Sequence, residues 1–240
     1  MVAIDPTLLN VLLIAISGTL ICAAVHFIPV GGAPAAMAQA TGIGTGTVEL
    51  AAGSGLVGLI TASYMYASEP TAQVYLVMAA GAMGSMVMLA STMLAGGLIY
   101  AYGVAVPFAS AQVKKDPITG QRQDTFVSKG TQGQGIPTVC FVSGVIGAAL
   151  GGIGGALIYY VLVGIYSPLI TTSAAAVAGV FTMGVFYVNS VIPSYGVGGT
   201  IEGFHDPKFR RVIGKDVLTS FVISLLCGVV AVMIAGGMVA

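Results

Sequence analysis

The sequence predicts an all-α, polytopic membrane helix bundle of about six transmembrane helices, and three observations carry that prediction. Of 240 residues, 57% are hydrophobic and only 7% charged, whereas roughly a quarter are charged in ordinary soluble domains. Mean hydropathy is +1.00. Four apolar stretches exceed the roughly 18 residues that cross a bilayer, and two more reach that length if one internal Gly, Ser or Thr is tolerated. All eight Lys and Arg fall in two short windows.

The first segment runs from about 7 to 28. Met1 to Thr7 carries Asp5 but no Lys or Arg, so it lacks the basic start of a cleaved signal peptide, and the segment reads as a retained helix. Pro29 stops it, and Gly31, Gly32 and Pro34 break any regular continuation. Residues 31–47 are too rich in Gly and Ala to assign; a short or re-entrant helix would start near Pro34. The second segment covers about 48–66 and ends at Ser68-Glu69-Pro70.

The next apolar stretch, Thr71 to Val106, would be about 54 Å long as one helix at about 1.5 Å per residue, against a hydrocarbon core of about 30 Å. It must protrude, tilt or break, with Gly96-Gly97 and Gly103 as weak points, and a span over about 71–95 is expected. The polar window 107–137 holds the turn sequence Asp116-Pro117-Ile118-Thr119-Gly120 and is expected to form a small cytoplasmic hairpin loop. Three further spans follow at about 138–165, 168–192 and 217–239, with a cytoplasmic loop at about 193–216. The whole chain, 1–240, reads as a single integral membrane domain.

The net charge is zero, which points to no nucleic-acid partner, so only the placement of charge is informative. Lys114, Lys115, Arg122 and Lys129 form one window; Lys208, Arg210, Arg211 and Lys215 form the other. Short basic loops stay on the cytoplasmic side, so both windows are expected there, with an even number of spans between them. Two segments separate the windows and three precede the first, which places both termini outside the cytoplasm. The first and last three segments show no internal repeat.

Gly144, Gly147, Gly151 and Gly154 recur at helical spacing, Gly151 and Gly155 form a GxxxG pair, and Gly81 with Ser85 forms a similar small pair. Such positions let helix backbones approach closely, so they read as Gly-rich helix packing. A dinucleotide site at Gly42 to Gly46 or Gly151 to Gly155 would need a preceding strand, which a membrane span does not offer. Gly214-Lys215 is followed by Asp216 and is no phosphate-binding loop. Cys22, Cys140 and Cys227 each sit in apolar sequence without ligand spacing and read as packing residues. His26 and His205 are lone, His26 reading as a hydrogen-bonded interfacial residue, so no metal site beyond sodium is expected. No nucleophilic triad or paired carboxylates occur, so no catalytic residue is assigned.

An ionisable group in a bilayer is costly unless paired or hydrated, which makes the sparse polar residues informative. Glu49 opens the second segment. Asn189 and Ser190 precede the broken stretch Ile192 to Ile201, and Thr200 and Glu202 follow at its end. Together Glu202, Asn189, Ser190, Thr200 and Glu49 are the ion-pathway candidates, since a sodium ion favours oxygen ligands beside a broken helix. The alternative for Glu202 is a hydrated loop where it pairs with Arg210 or Lys208.

Four blocks carry a family resemblance. Val25 to Ala38, continued by Thr41 to Thr47, is the first; Asp116 to Gly120, Gly135 to Gly144 and Gly198 to Phe209 complete it. On these residues the chain resembles the D subunit of tetrahydromethanopterin S-methyltransferase, across nearly its whole length. The resemblance implies a multi-subunit membrane complex of methanogenic archaea that moves a methyl group from a tetrahydropterin carrier to coenzyme M through a corrinoid on another subunit. It also implies that methyl transfer drives sodium export, with the C, D and E subunits forming the membrane part. This chain is then a non-catalytic membrane subunit that binds no cofactor itself, and its partners are the C and E subunits, the corrinoid-bearing subunit and membrane lipid. Two other readings stay open: a stand-alone secondary transporter or channel, and a purely structural membrane anchor.

Overall fold

A computed structural model describes residues 5–28, 47–102, 137–166, 178–179, 184–185, 189 and 207–237. Among these residues there is no strand. Five long helices account for nearly all of them: α1 (Pro6–Phe27), α2 (Thr47–Ser68), α3 (Val74–Tyr102), α4 (Pro137–Tyr166) and α5 (Pro207–Gly237). All five are long and apolar enough to cross a membrane, and the chain is a multi-pass membrane protein.

The helix ends follow from local sequence. At the start of α1, the Asp5 carboxylate accepts from the Thr7 N–H at 2.9 Å, and Pro6 takes the first helical position, where its missing N–H costs nothing. At the other end Ile28 is extended, as the residue before a proline is driven to be, while its N–H still donates to the Ala24 carbonyl at 3.1 Å. Pro70 cannot continue α2, so the chain turns at once: the Ala72 N–H donates to the Glu69 carbonyl at 2.9 Å, and the Thr71 hydroxyl donates to the Glu69 carboxylate. The tight turn makes α2 and α3 an antiparallel pair.

Helix α4 is the centre of the bundle, with α1, α2 and α3 around it, while α5 rests mainly on α1. Small residues set these contacts. Gly155 of α4 meets the Gly55 carbonyl of α2, and Gly152 lies against both Gly58 of α2 and Gly81 of α3. A side chain at Gly151 would come within 2.7 Å of the Ser54 Cβ, one at Gly147 within 2.8 Å of the Ala24 carbonyl, and one at Gly81 within 2.6 Å of the Ala156 Cβ. Gly144 is buried one turn before Gly147. Where backbones touch, neighbouring hydroxyls complete the contact: Ser85 donates to the Ser54 carbonyl of α2, and Ser143 donates to the Phe27 carbonyl at the open end of α1.

The contact pairs fix helix direction. Gly147 meets Ala24 and Gly154 meets Ser17, so α4 runs antiparallel to α1; Gly228 meets Val11 and Gly18 meets Ser224, so α5 does too. Helices α4 and α5 therefore point the same way and begin on the same face of the bundle.

Two boundaries differ from the sequence expectation. Helix α3 continues through Gly96 and Gly97 to Tyr102 instead of breaking there. Each glycine costs about 1 kcal/mol of helix propensity in water, but breaking a helix in lipid strands polar backbone groups, which costs more. Helix α5 begins at Pro207, ten residues before Val217, because Pro207 is well suited to a first turn; residues 207–216 are therefore helical and not loop. The expected span 168–192 falls mostly outside the described residues, although 178–179, 184–185 and 189 are helical. The possible re-entrant stretch 31–47, apart from Thr47, and the hairpin window 107–137, apart from Pro137, lie outside them.

Replacing Gly155 with Leu drives a side chain into the Gly55 backbone, which no rotamer relieves, whereas Gly164 has nothing within 4 Å. Gly155→Leu should destabilise the purified protein by about 1–3 kcal/mol or more, and Gly164→Leu by far less. Thermal unfolding of the two variants in detergent checks the difference.

Candidate functional site: a polar seam between the first and last helices

Gly18, Cys22 and His26 stand four residues apart on α1, and Asp216, Ser220 and Ser224 stand four apart on α5. Four-residue spacing stacks side chains on one helix face, and the antiparallel pairing of α1 with α5 sets the two faces against each other. Gly18 is what allows it: a Cβ there would strike the Ser224 hydroxyl and come within 2.9 Å of the Asn189 amide nitrogen.

Asn189 closes the seam from the stretch between α4 and α5. It is fully buried. Its amide nitrogen donates to the Val185 carbonyl at 2.7 Å, and its Oδ1 accepts from the Ser220 hydroxyl and from the Ser224 hydroxyl at 3.1 Å. Ser220 Oγ also lies 3.4 Å from the Gly18 carbonyl and within hydrogen-bonding reach of the Cys22 thiol.

Toward the start of α5 the seam becomes ionisable. His26 is 1% exposed, and its imidazole is close enough to Asp216 for the two to interact electrostatically. The Asp216 Oδ2 is buried with no hydrogen-bond donor. Among the described residues, no three His, Cys, Asp or Glu side chains come together in a way that could hold a metal ion.

Of the ion-pathway candidates read from sequence, Asn189 sits in this seam. Glu49 lies in the first turn of α2, its side chain outside the described residues, and Ser190, Thr200 and Glu202 lie outside them altogether. Sequence reasoning missed Asp216, Ser220 and Ser224, and it took His26 as lone. The readable signal was the repeat of polar or small residues at 216, 220 and 224 and at 18, 22 and 26. It was obscured by treating 193–216 as loop.

A family model for the D subunit of tetrahydromethanopterin S-methyltransferase matches residues 7–224 of the chain. The chain belongs to this D-subunit family. Relatives named as the D subunit of tetrahydromethanopterin S-methyltransferase include that of Methanosarcina mazei, 57% identical with 96% of each chain covered. That of Methanothermobacter thermautotrophicus is 53% identical over 97% of this chain and 98% of its own. That of Methanocaldococcus jannaschii is 51% identical over 91% and 93%. All three span almost the full length, and so the polar seam falls inside the part shared with other D subunits, except for the end of α5 beyond residue 224 in the family model. Membership makes the chain one subunit of a multi-subunit methyltransferase complex.

The seam register is open to direct test. Because Ser220 reaches the Cys22 thiol, Ser220→Cys should form a disulfide with Cys22 under a membrane-permeant oxidant, while Thr219→Cys, exposed on the neighbouring face, should not. Mass spectrometry of the joined peptides reads the outcome.

Proposed function

We propose that this chain is a membrane subunit of the methyltransferase complex that helps form the route by which methyl transfer to coenzyme M drives sodium ions outward, and that it takes no part in the methyl-transfer chemistry. The observation that carries the reading is the Asn189–Ser220–Ser224 cluster, fully buried inside apolar helices. Polar groups in a bilayer interior are expensive and tend to line substrate or ion pathways. Exporting one charge against about 100 mV costs about 2.3 kcal/mol plus the concentration difference, which an exergonic methyl transfer can supply. The corrinoid and the pterin belong to other subunits, and the partners in the membrane are the C and E subunits.

Orientation follows the charge pattern. Arg210, Arg211 and Lys215 stand on the first turns of α5, exposed, on the face where α4 also begins, and the basic residues 114–129 precede α4 in the chain. Positive residues remain in the cytoplasm during insertion, so this face is the cytoplasmic one and the N-terminus of α1 points outward. Ser190, Thr200 and Glu202, which follow Asn189 in sequence, and Glu49 remain candidates to extend the route.

Asn189→Ala removes the acceptor shared by the two serines. In the assembled complex, reconstituted in vesicles, methyl transfer should continue while sodium moved per methyl transferred falls about tenfold or more. An unchanged ratio would overturn this reading and leave the chain as an anchor.

A further inference from the structure

Helix α5 is longer than a membrane needs. Its 31 residues span about 46 Å at about 1.5 Å per residue, against a hydrocarbon core of about 30 Å. The uncharged run 217–237 fills that core by itself, so 207–216 stands about 15 Å beyond it, through a headgroup layer roughly 5–7 Å thick. Arg210, Arg211 and Lys215 are exposed there. With Lys208 they make four basic residues against Asp216, and the balance stays positive when Asp206, just before the helix, is included. Asp216 stands about 100° round the helix from Lys215 with its Oδ2 buried, and His26, which faces that carboxylate from α1, can only add to the positive side.

Register aims part of this charge away from the bundle. Arg211 and Lys215 are one turn apart, and helical steps carry their line on to Leu218, Val222, Leu226 and Met233, which are 64%, 50%, 66% and 71% exposed. The opposite face holds Ser220, Ser224 and Gly228, all buried. Arg210 lies five turns before Gly228 and so on the side turned to α1, outside the strip. One strip of α5 is thus apolar through the core and basic just beyond it, with Lys215 and Arg211 about 3 and 9 Å outside the core and side chains long enough to reach lipid phosphates. That is the chemistry of an anionic lipid taken end to end. A partner in water would meet the protruding turns with Arg210 as available as Arg211, and no match to membrane depth would be needed. We propose that Arg211 and Lys215 hold the headgroup of an anionic phospholipid in the leaflet at the start of α5, the cytoplasmic one by the orientation above. The guanidinium fork takes phosphate oxygens in pairs and the ammonium adds a point charge. This site depends on α5 crossing the membrane and not on the ion route.

The test uses the whole complex in phosphatidylcholine vesicles that carry a trace of either phosphatidylglycerol or phosphatidylcholine with a photoreactive group in the headgroup. Proteolysis and mass spectrometry read the labelling of residues 207–216. Each Lys or Arg near an anionic surface favours attraction on the order of fivefold, so phosphatidylglycerol should label this stretch several-fold more than phosphatidylcholine does. Arg211→Gln combined with Lys215→Gln should bring the ratio close to one, while Arg210→Gln should leave most of the preference. Salt at about 1 M, where screening acts within about 3 Å, should shrink the preference in the wild-type complex, which decides the matter if the double variant does not assemble. Equal labelling by the two lipids in the wild type, or a preference that survives the double substitution or high salt, overturns the site. So does an equal loss in Arg210→Gln. Weak labelling by both lipids, with cross-links from this stretch to another subunit, would put protein on the strip and overturn the site as well.

Discussion

In lipid the hydrophobic effect gives one helix no reason to touch another, and the bundle depends on how that missing drive is replaced. Here it is replaced by backbone contact. The Gly151–Gly152–Gly154–Gly155 run of α4 presents bare backbone toward α1, α2 and α3, so that dispersion forces act at short range and serine hydroxyls reach carbonyls of the next helix. A single methyl group at most of these positions would hold two helices apart. The order of the bundle, with α4 central and three neighbours around it, is the spatial form of that glycine run.

The α1–α5 contact is built differently. Among the described residues only Gly18 and Gly228 give close approach there; beyond Gly228 the contact is apolar, and toward the start of α5 it is polar, with hydroxyls, one amide, one thiol, one imidazole and one carboxylate. Such groups contribute modest energy to helix association, on the order of 0.6 kcal/mol per hydrogen bond, and glycine faces of the α4 type would hold α5 as well without them. Their concentration on one seam sets it apart from the other interfaces among the described residues, where single serine hydroxyls accompany glycine, alanine and aliphatic contacts.

The fold class was legible because lipid leaves the backbone one local solution, so the length of an apolar run is enough to read a helix. Partner choice was not, since these helices are apolar on all sides and carry no stripe to orient them. The glycine spacing of 144 to 155 marked a close-packing helix without saying that Gly151 would face Ser54 or that Gly154 would face Ser17. Gly96-Gly97 misled because propensities measured in water overstate how readily a helix breaks in lipid. Asp216 was hidden by its neighbours: next to Arg211 and Lys215 it looked like part of a hydrated loop, and only the start of α5 at Pro207 puts it in register with Ser220 and Ser224. His26 looked solitary because its counterpart lies at the far end of the chain, a distance that local spacing does not span.

The lopsided placement of α5 has a mechanical consequence. Among the described residues, Gly152 of α4 touches backbone of both α2 and α3, whereas Gly228 of α5 meets α1 alone. A bulky side chain at Gly152 would therefore force two helices apart from α4 at once, while one at Gly228 would be felt along a single pair.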